Sequence, residues 1–163
     1  MSSNFKVVLT SIILFLDGNE VISIVNWYFE ILAEFVKDIS SETKDVQTFL
    51  FVKEYISKYQ LTIDISSLPS KNKLTEVNTT LKFEDKKNNP KKSYFELVYA
   101  SLIKIDDNIK KKKELEKIIL CDVQKQIKPN IEKVFTDLIN NSGFKGVSFK
   151  KIDFEKLYNS RFN

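Results

Sequence analysis

Between Tyr94 and Val123 an apolar segment runs into the acidic turn Asp106-Asp107-Asn108, and a second apolar segment leaves it. This unit constrains the rest of the chain. Phe95, Val98, Leu102 and Ile105 recur at three- and four-residue spacing before the turn, and Leu115, Ile118, Ile119, Val123 and Ile127 after it. Such spacing makes one continuous stripe on a helix, whereas the faces of a strand alternate every two residues. Ser93 with Glu96 three positions later has the spacing of a capping box, so the unit reads as helix, turn, helix. A similar unit occupies Leu9–Val36 around Leu16-Asp17-Gly18-Asn19. Placing Leu9 over Val98 brings Asp17 onto Asp106 and Asn19 onto Asn108.

The other segments extend this pattern. Phe5–Leu16 is apolar almost all round, as a helix surrounded by others would be. Val21, Ile24, Val25, Tyr28, Ile31, Leu32, Phe35, Val36 and Ile39 form the cleanest helical stripe, with Trp27 at its border as a core anchor. Ser40-Ser41-Glu42-Thr43 stops that helix and caps the next, Asp45–Tyr59, where Phe51, Val52 and Tyr55 widen a face read as buried. Past Gln60 the period becomes two: Leu61, Ile63 and Ile65, then Thr79, Leu81 and Phe83. Two short strands joined across residues 67–78 fit that alternation. Pro129 opens another helix, carrying Ile131, Val134, Phe135, Leu138 and Ile139. Asn140-Asn141-Ser142-Gly143 stops it, and Asp153–Tyr158 forms a last short helix. The expected fold is mainly α: a single domain over residues 1–163, a compact bundle of six or seven helices with at most a minor β-hairpin near residues 61–84.

What the chain lacks limits its chemistry. It contains no histidine, one cysteine and three glycines. Absence of histidine removes the commonest general base and most zinc sites. Cys121 has no intrachain partner and reads as a small core residue. Three scattered glycines cannot build a phosphate cradle. Thirteen Phe and six Tyr argue for a packed core rather than disorder. Val7–Leu16 lacks a cleavage pattern and is too short to cross a bilayer. A cytoplasmic, non-membrane setting is therefore expected.

Ile105-Asp106-Asp107-Asn108-Ile109, followed by Glu114-Leu115 and Ile118-Ile119, resembles the Ala-Asp-Gly-x-Ile repeat of the TerB-like tellurite-resistance family. The co-chaperone DjlA carries a similar domain. Leu16-Asp17-Gly18-Asn19 resembles the same element. The resemblance implies a helical interaction module with an acidic, divalent-cation-binding surface, at Asp17, Glu20, Asp106 and Asp107. Two departures stand out: Asp107 replaces the glycine, and Lys110–Lys113 replaces acids. Hard cations need several oxygen ligands at once, so the acids read first as caps and solvated turns, and no resident cofactor is expected.

Charge is unevenly spread. Residues 1–60 carry five lysines against eight acids, and residues 61–163 carry twenty-one basic residues against fourteen acids. Lys86, Lys87, Lys91, Lys92, Lys110, Lys111, Lys112 and Lys113 form the best candidate surface for nucleic acid or an acidic partner. The leading expectation is a soluble, non-catalytic protein that binds another macromolecule, most simply a protein. Stress response, phage–host conflict and toxin–immunity conflict are plausible settings. The alternatives are a nucleic-acid-binding module using the lysine-rich region 86–128, and a carboxylate-dependent enzyme.

Overall fold

The computed structural model describes residues 8–16, 19–87, 89–149 and 152–160. In chain order these form β1 (Val8–Leu16), β2 (Asn19–Trp27), β3 (Phe29–Glu42), α1 (Val46–Tyr55), β4 (Gln60–Pro69), β5 (Leu74–Glu84), β6 (Tyr94–Ile105), α2 (Lys112–Lys117), α3 (Val123–Asn141) and α4 (Phe154–Ser160). β1 and β2 make a two-stranded antiparallel ribbon, and the main sheet has the order β3-β6-β5-β4 with every pair antiparallel. The expectation of a mainly α bundle is therefore corrected. The three segments read as helices at 5–16, 21–39 and 93–105 are strands where they are described.

The reason lies in how strands mimic the helical period. β3 carries two bulges, between Ile31 and Ala33 and between Val36 and Asp38. Each bulge turns a two-residue step into a three-residue step. Ile31, Val36 and Ile39 thus face the same side as their partners Ile103, Tyr99 and Leu97, and the three-residue step from Val36 to Ile39 and the eight-residue span from Ile31 to Ile39 are ones a helix face also produces. β6 misleads differently. It is a central strand with Phe95, Leu97 and Ile103 fully buried on one face, while the other face carries Val98, Ala100 and Leu102, apolar as well although only Ala100 is fully buried. A strand with apolar residues on both faces reads as a continuous apolar run that period alone cannot distinguish from a helix. Ser93 is no helix cap. It is buried, and its amide donates to the Tyr59 hydroxyl at 2.9 Å.

The hairpin of β4 and β5 matches the alternation in sequence, with Leu61 opposite Phe83 and Ile63 opposite Leu81. α1 also forms where expected, and the Asp45 carboxylate accepts the Thr48 amide at 2.7 Å as its cap. Along α1, Val52 is buried, Phe51 half-buried and Tyr55 exposed.

One face of the main sheet is covered by α3. Ile127, Ile131, Phe135 and Ile139 repeat at four-residue spacing and are all buried, which lays one stripe on the sheet. Phe83, Phe95, Phe135, Phe144 and Phe149 link sheet to helix, with ring centroids 5.2–6.2 Å apart. Pro129 stands inside α3 rather than at its start. It lies on the exposed face, where water can serve the one carbonyl that loses its donor. α2 and α3 are continuous through a π-helical turn, Ile118–Asp122. Gln124, fully buried, donates to the Ile119 carbonyl at 3.1 Å and accepts the Thr79 hydroxyl at 2.9 Å. This side chain ties the widened turn to β5. Gly143 ends the helix region with φ +95, the left-handed conformation that glycine adopts without penalty.

Candidate functional site

β4 is an edge strand. Among the described residues nothing pairs with its outer side, so its amides and carbonyls there are open to an added strand. A groove of about 800 Å³ runs beside it, lined by Tyr59, Leu61, Ile63 and Phe83 from the sheet side and by Phe149, Ile152 and Leu157 from the C-terminal segment. A smaller cavity of about 240 Å³ shares Ile63 and Leu157 and adds Ile65, Leu120, Phe154 and Tyr158. At the other end a cavity of about 400 Å³ shares Gln60 with the groove and is lined by Phe51, Tyr55, Lys58 and the loop after β5. The groove and the smaller cavity, which share Ile63 and Leu157, form a trough along β4, and the third cavity shares only Gln60 with it.

Local sequence explains each wall. Alternation in β4 sends Leu61, Ile63 and Ile65 to the α3 side of the sheet, but α3 does not reach far enough to cover the edge strand. These three stay half-buried. The opposite lip is α4. Phe154 and Tyr158 anchor it at four-residue spacing, and Leu157, on the open side, is 52% exposed. Lys125 on α3 donates to the Glu155 carboxylate at 2.8 Å, and Lys128 donates to the Ile152 carbonyl at 2.6 Å. That hydrogen bond holds the Glu155 carboxyl below the usual carboxylate range and Lys125 above the usual lysine value. Burial pushes the Tyr59 phenol at the groove floor upward, so it stays neutral and serves as a polar point in an apolar wall.

A second apolar surface lies at the opposite edge of the sheet. Leu32, Phe35, Val36 and Ile39 of β3 are each 40–47% exposed. Their strand is also unpaired on its outer side among the described residues.

The residues singled out from sequence sit elsewhere. Asp17 lies outside the described residues, and so do the side chains of Glu20 and Trp27. Asp106 is buried at the end of β6, where its carboxylate accepts the Asn108 amide at 3.3 Å. Asp107 pairs with Lys73 at 2.8 Å. Among the described residues no three acids or sulfur ligands gather as a metal cluster. Cys121 is buried, and burial raises its thiol. Lys86, Lys87, Lys91 and Lys92 precede β6, whereas Lys110–Lys113 follow it. A twelve-residue strand spans about 40 Å, so the two lysine groups stand at opposite ends of the sheet and form no single stripe. Lys111 and Lys112 face Glu114 and Glu116 at 3.5 and 3.8 Å.

The trough itself was missed in the sequence. The available signal was the tail: Val147, Phe149, Ile152 and Leu157 are more apolar than a surface extension past a helix stop requires.

Among the described residues no helix is long and apolar enough to cross a membrane. The family model described as preprotein translocase subunit SecB matches residues 25–163. A putative protein-export protein SecB from Pelagibacter ubique (strain HTCC1062) is 49% identical over 136 residues, covering 83% of this chain and 97% of the relative. A SecB-like chaperone of Mycobacterium tuberculosis, solved with a ChAD peptide from the HigA1 antitoxin, has the same fold. It superposes with a TM-score of 0.58 at 11% identity, covering 77% of this chain and 88% of that one. These findings overturn the resemblance to the TerB-like family, which rested on a turn that the structure shows leaving a strand. They agree with a protein-binding, non-catalytic molecule and give no support to a nucleic-acid partner or an enzyme. The chain belongs to the SecB family of non-enzymatic protein-export proteins.

Proposed function

We propose that this chain is a chaperone that holds unfolded polypeptides in extended form, with the trough beside β4 as the client site. One observation carries the reading: an unpaired edge strand and an apolar groove run side by side. An extended segment lying there gains backbone hydrogen bonds from β4, which are blind to sequence. It also buries alternate side chains against Leu61, Ile63, Phe149 and Leu157, which demands only that they be apolar. Each large apolar side chain so covered contributes about 1.5–3 kcal/mol before the cost of ordering the client. A folded protein has already satisfied both needs internally and gains nothing. The protein-export description of the family model and of the Pelagibacter relative supplies the setting, namely precursors kept unfolded before translocation.

The test is suppression of aggregation when a chemically unfolded protein is diluted into buffer. Stoichiometric wild-type chain suppresses it. Leu157→Asp and Phe149→Ala lower affinity for the unfolded protein about tenfold or more, with the circular-dichroism spectrum unchanged. Full holding activity in both variants would remove the trough as the client site.

The β3 edge supports a second role. Phe35 on one face of this unpaired strand and Val36 and Ile39 on the other are half-exposed, so a second copy adding its own β3 across a twofold axis covers apolar side chains on both faces and pairs the open backbone. Phe35→Lys is expected to shift the chain toward monomer in analytical ultracentrifugation. A wild-type chain that is monomeric at tens of micromolar would exclude this.

A further inference from the structure

We infer that one end of the main sheet, together with the β1–β2 ribbon that joins it there, docks on an anionic lipid surface. Three segments meet at this end. The turn between β4 and β5 carries Lys71 and Lys73. β6 finishes here, with Lys104 opposite Leu74, and Lys110–Lys113 follow it. β3 starts here, and the Tyr28 carbonyl just before it accepts the Asp106 amide at 3.3 Å. The Lys73 ammonium, 2.8 Å from the Asp107 carboxylate, ties the turn to the segment after β6.

Seven lysines at this end stand against five acids: Glu30, Asp106, Asp107, Glu114 and Glu116. Depth separates the two signs more than number does. Asp106 is 8% exposed and the Asp107 side chain 25%, whereas the side chains of Lys73, Lys111 and Lys112 are 65%, 81% and 89% exposed. Lys71, Lys104, Lys110 and Lys113 are exposed as well. A flat anionic surface approaching this end meets ammonium groups on long stems before it meets the carboxylates nearest the strands. Each lysine brought close to it adds to the attraction.

The same cations would serve a nucleic acid, and apolar groups decide for lipid. Leu68, beside the turn, is 56% exposed, and Tyr28 is 45% exposed. β2 ends at Trp27, next to Tyr28, so the ribbon enters the body of the protein at this end. β1 has no charged residue, and β2 has only Glu20. Among the described residues the two strands pair with each other and with no other strand. A two-stranded ribbon is marginal in water and needs a surface to cover it. An open ribbon cannot cross a bilayer, because its outer backbone groups would be unpaired in hydrocarbon. At the headgroup boundary water reaches those groups while apolar residues enter the lipid. Lysines there bury their stems and keep their ammonium groups at the phosphates. A nucleic-acid backbone offers no such apolar layer.

The test floats the full chain with vesicles of phosphatidylcholine alone, or with about 30% phosphatidylglycerol, at about 50 and 500 mM salt. Binding is expected to the anionic vesicles only, and at least about tenfold weaker at the higher salt. The Lys71→Gln/Lys104→Gln/Lys110→Gln/Lys113→Gln variant should bind them at least about twentyfold more weakly, since each lysine near the surface is worth about fivefold. The Lys86→Gln/Lys87→Gln/Lys91→Gln/Lys92→Gln variant removes the same charge from the opposite end and should stay within about threefold of wild type. Ile13→Ser/Ile22→Ser, which leaves the charge unchanged, should weaken binding about fivefold or more. Unchanged circular-dichroism spectra exclude unfolding as the cause. Equal binding to neutral vesicles, equal loss from the two lysine sets, or undiminished binding by the ribbon variant overturns the inference. Tighter binding to a DNA duplex than to the anionic vesicles also overturns it, by making the same lysines a nucleic-acid contact. The trough stands or falls independently of these outcomes.

Discussion

Gln124 shows how one side chain settles a packing problem that sequence pattern does not reveal. It falls within the buried stripe of α3, where a polar residue costs stability unless both ends of its amide are satisfied. The widened turn and Thr79 satisfy them. Gln124→Ala removes the partner of the buried Thr79 hydroxyl and opens a cavity, so a loss of about 2–4 kcal/mol is expected in urea unfolding. A loss below about 1 kcal/mol would mean that the tie to β5 is dispensable. At this scale the sequence was only partly legible. Gly143 as a helix stop could be read directly, because left-handed positions depend on neighbours in the chain; the cap of α1 is Asp45 and not the expected Ser40-Ser41-Glu42-Thr43, whose first three residues end β3. Gln124 could not, because its partner lies 45 residues away. The stacked pair Phe51 and Tyr55 was read as core, yet Tyr55 is exposed. An apolar residue on a helix does not say whether another element will arrive to cover it.

At the level of elements, α1, the β4–β5 hairpin and the C-terminal helices were legible, since each obeys one period cleanly. β3 and β6 were not. Bulges gave the first a helical spacing, and apolar residues on both faces of the second, Val98 and Leu102 opposite Leu97 and Ile103, erased its alternation in sequence. The first two strands carried a cue that was passed over: Asp17-Gly18 between two apolar runs is a strong short-range hairpin signal, and β1 pairs with β2 from Leu16 opposite Asn19. The element closest to function is α4, whose hold on α3 depends on charge. Glu155 titrates below its ordinary value because Lys125 donates to it. A carboxyl with a depressed folded value contributes its stability above the unfolded value and loses it as pH falls through the folded one. Protection of α4 amides against hydrogen exchange, relative to α3, is therefore expected to fall as pH drops from about 5 to 3. Lys125→Gln should show the same loosening at pH 7. Equal protection of both helices across that range would show that Phe154 and Tyr158 suffice to hold α4.

For the whole molecule, composition already pointed to contact rather than catalysis, and the absence of histidine and of glycine-rich loops remains the simplest reason. What composition could not show is that contact would be made along edges. A sheet with one face under α3 leaves β4 and β3 as its two borders. Each border carries apolar side chains beside unpaired backbone, one shaped as a trough and one open. The account stands on the trough. Its most direct test places a photo-crosslinking residue at Leu157, or at Lys133 on the exposed face of α3, and illuminates each chain with an unfolded client. Crosslinks from position 157 and none from 133, mapping to apolar client stretches, are the result expected here. Equal crosslinking from both positions, or none from 157, would contradict it.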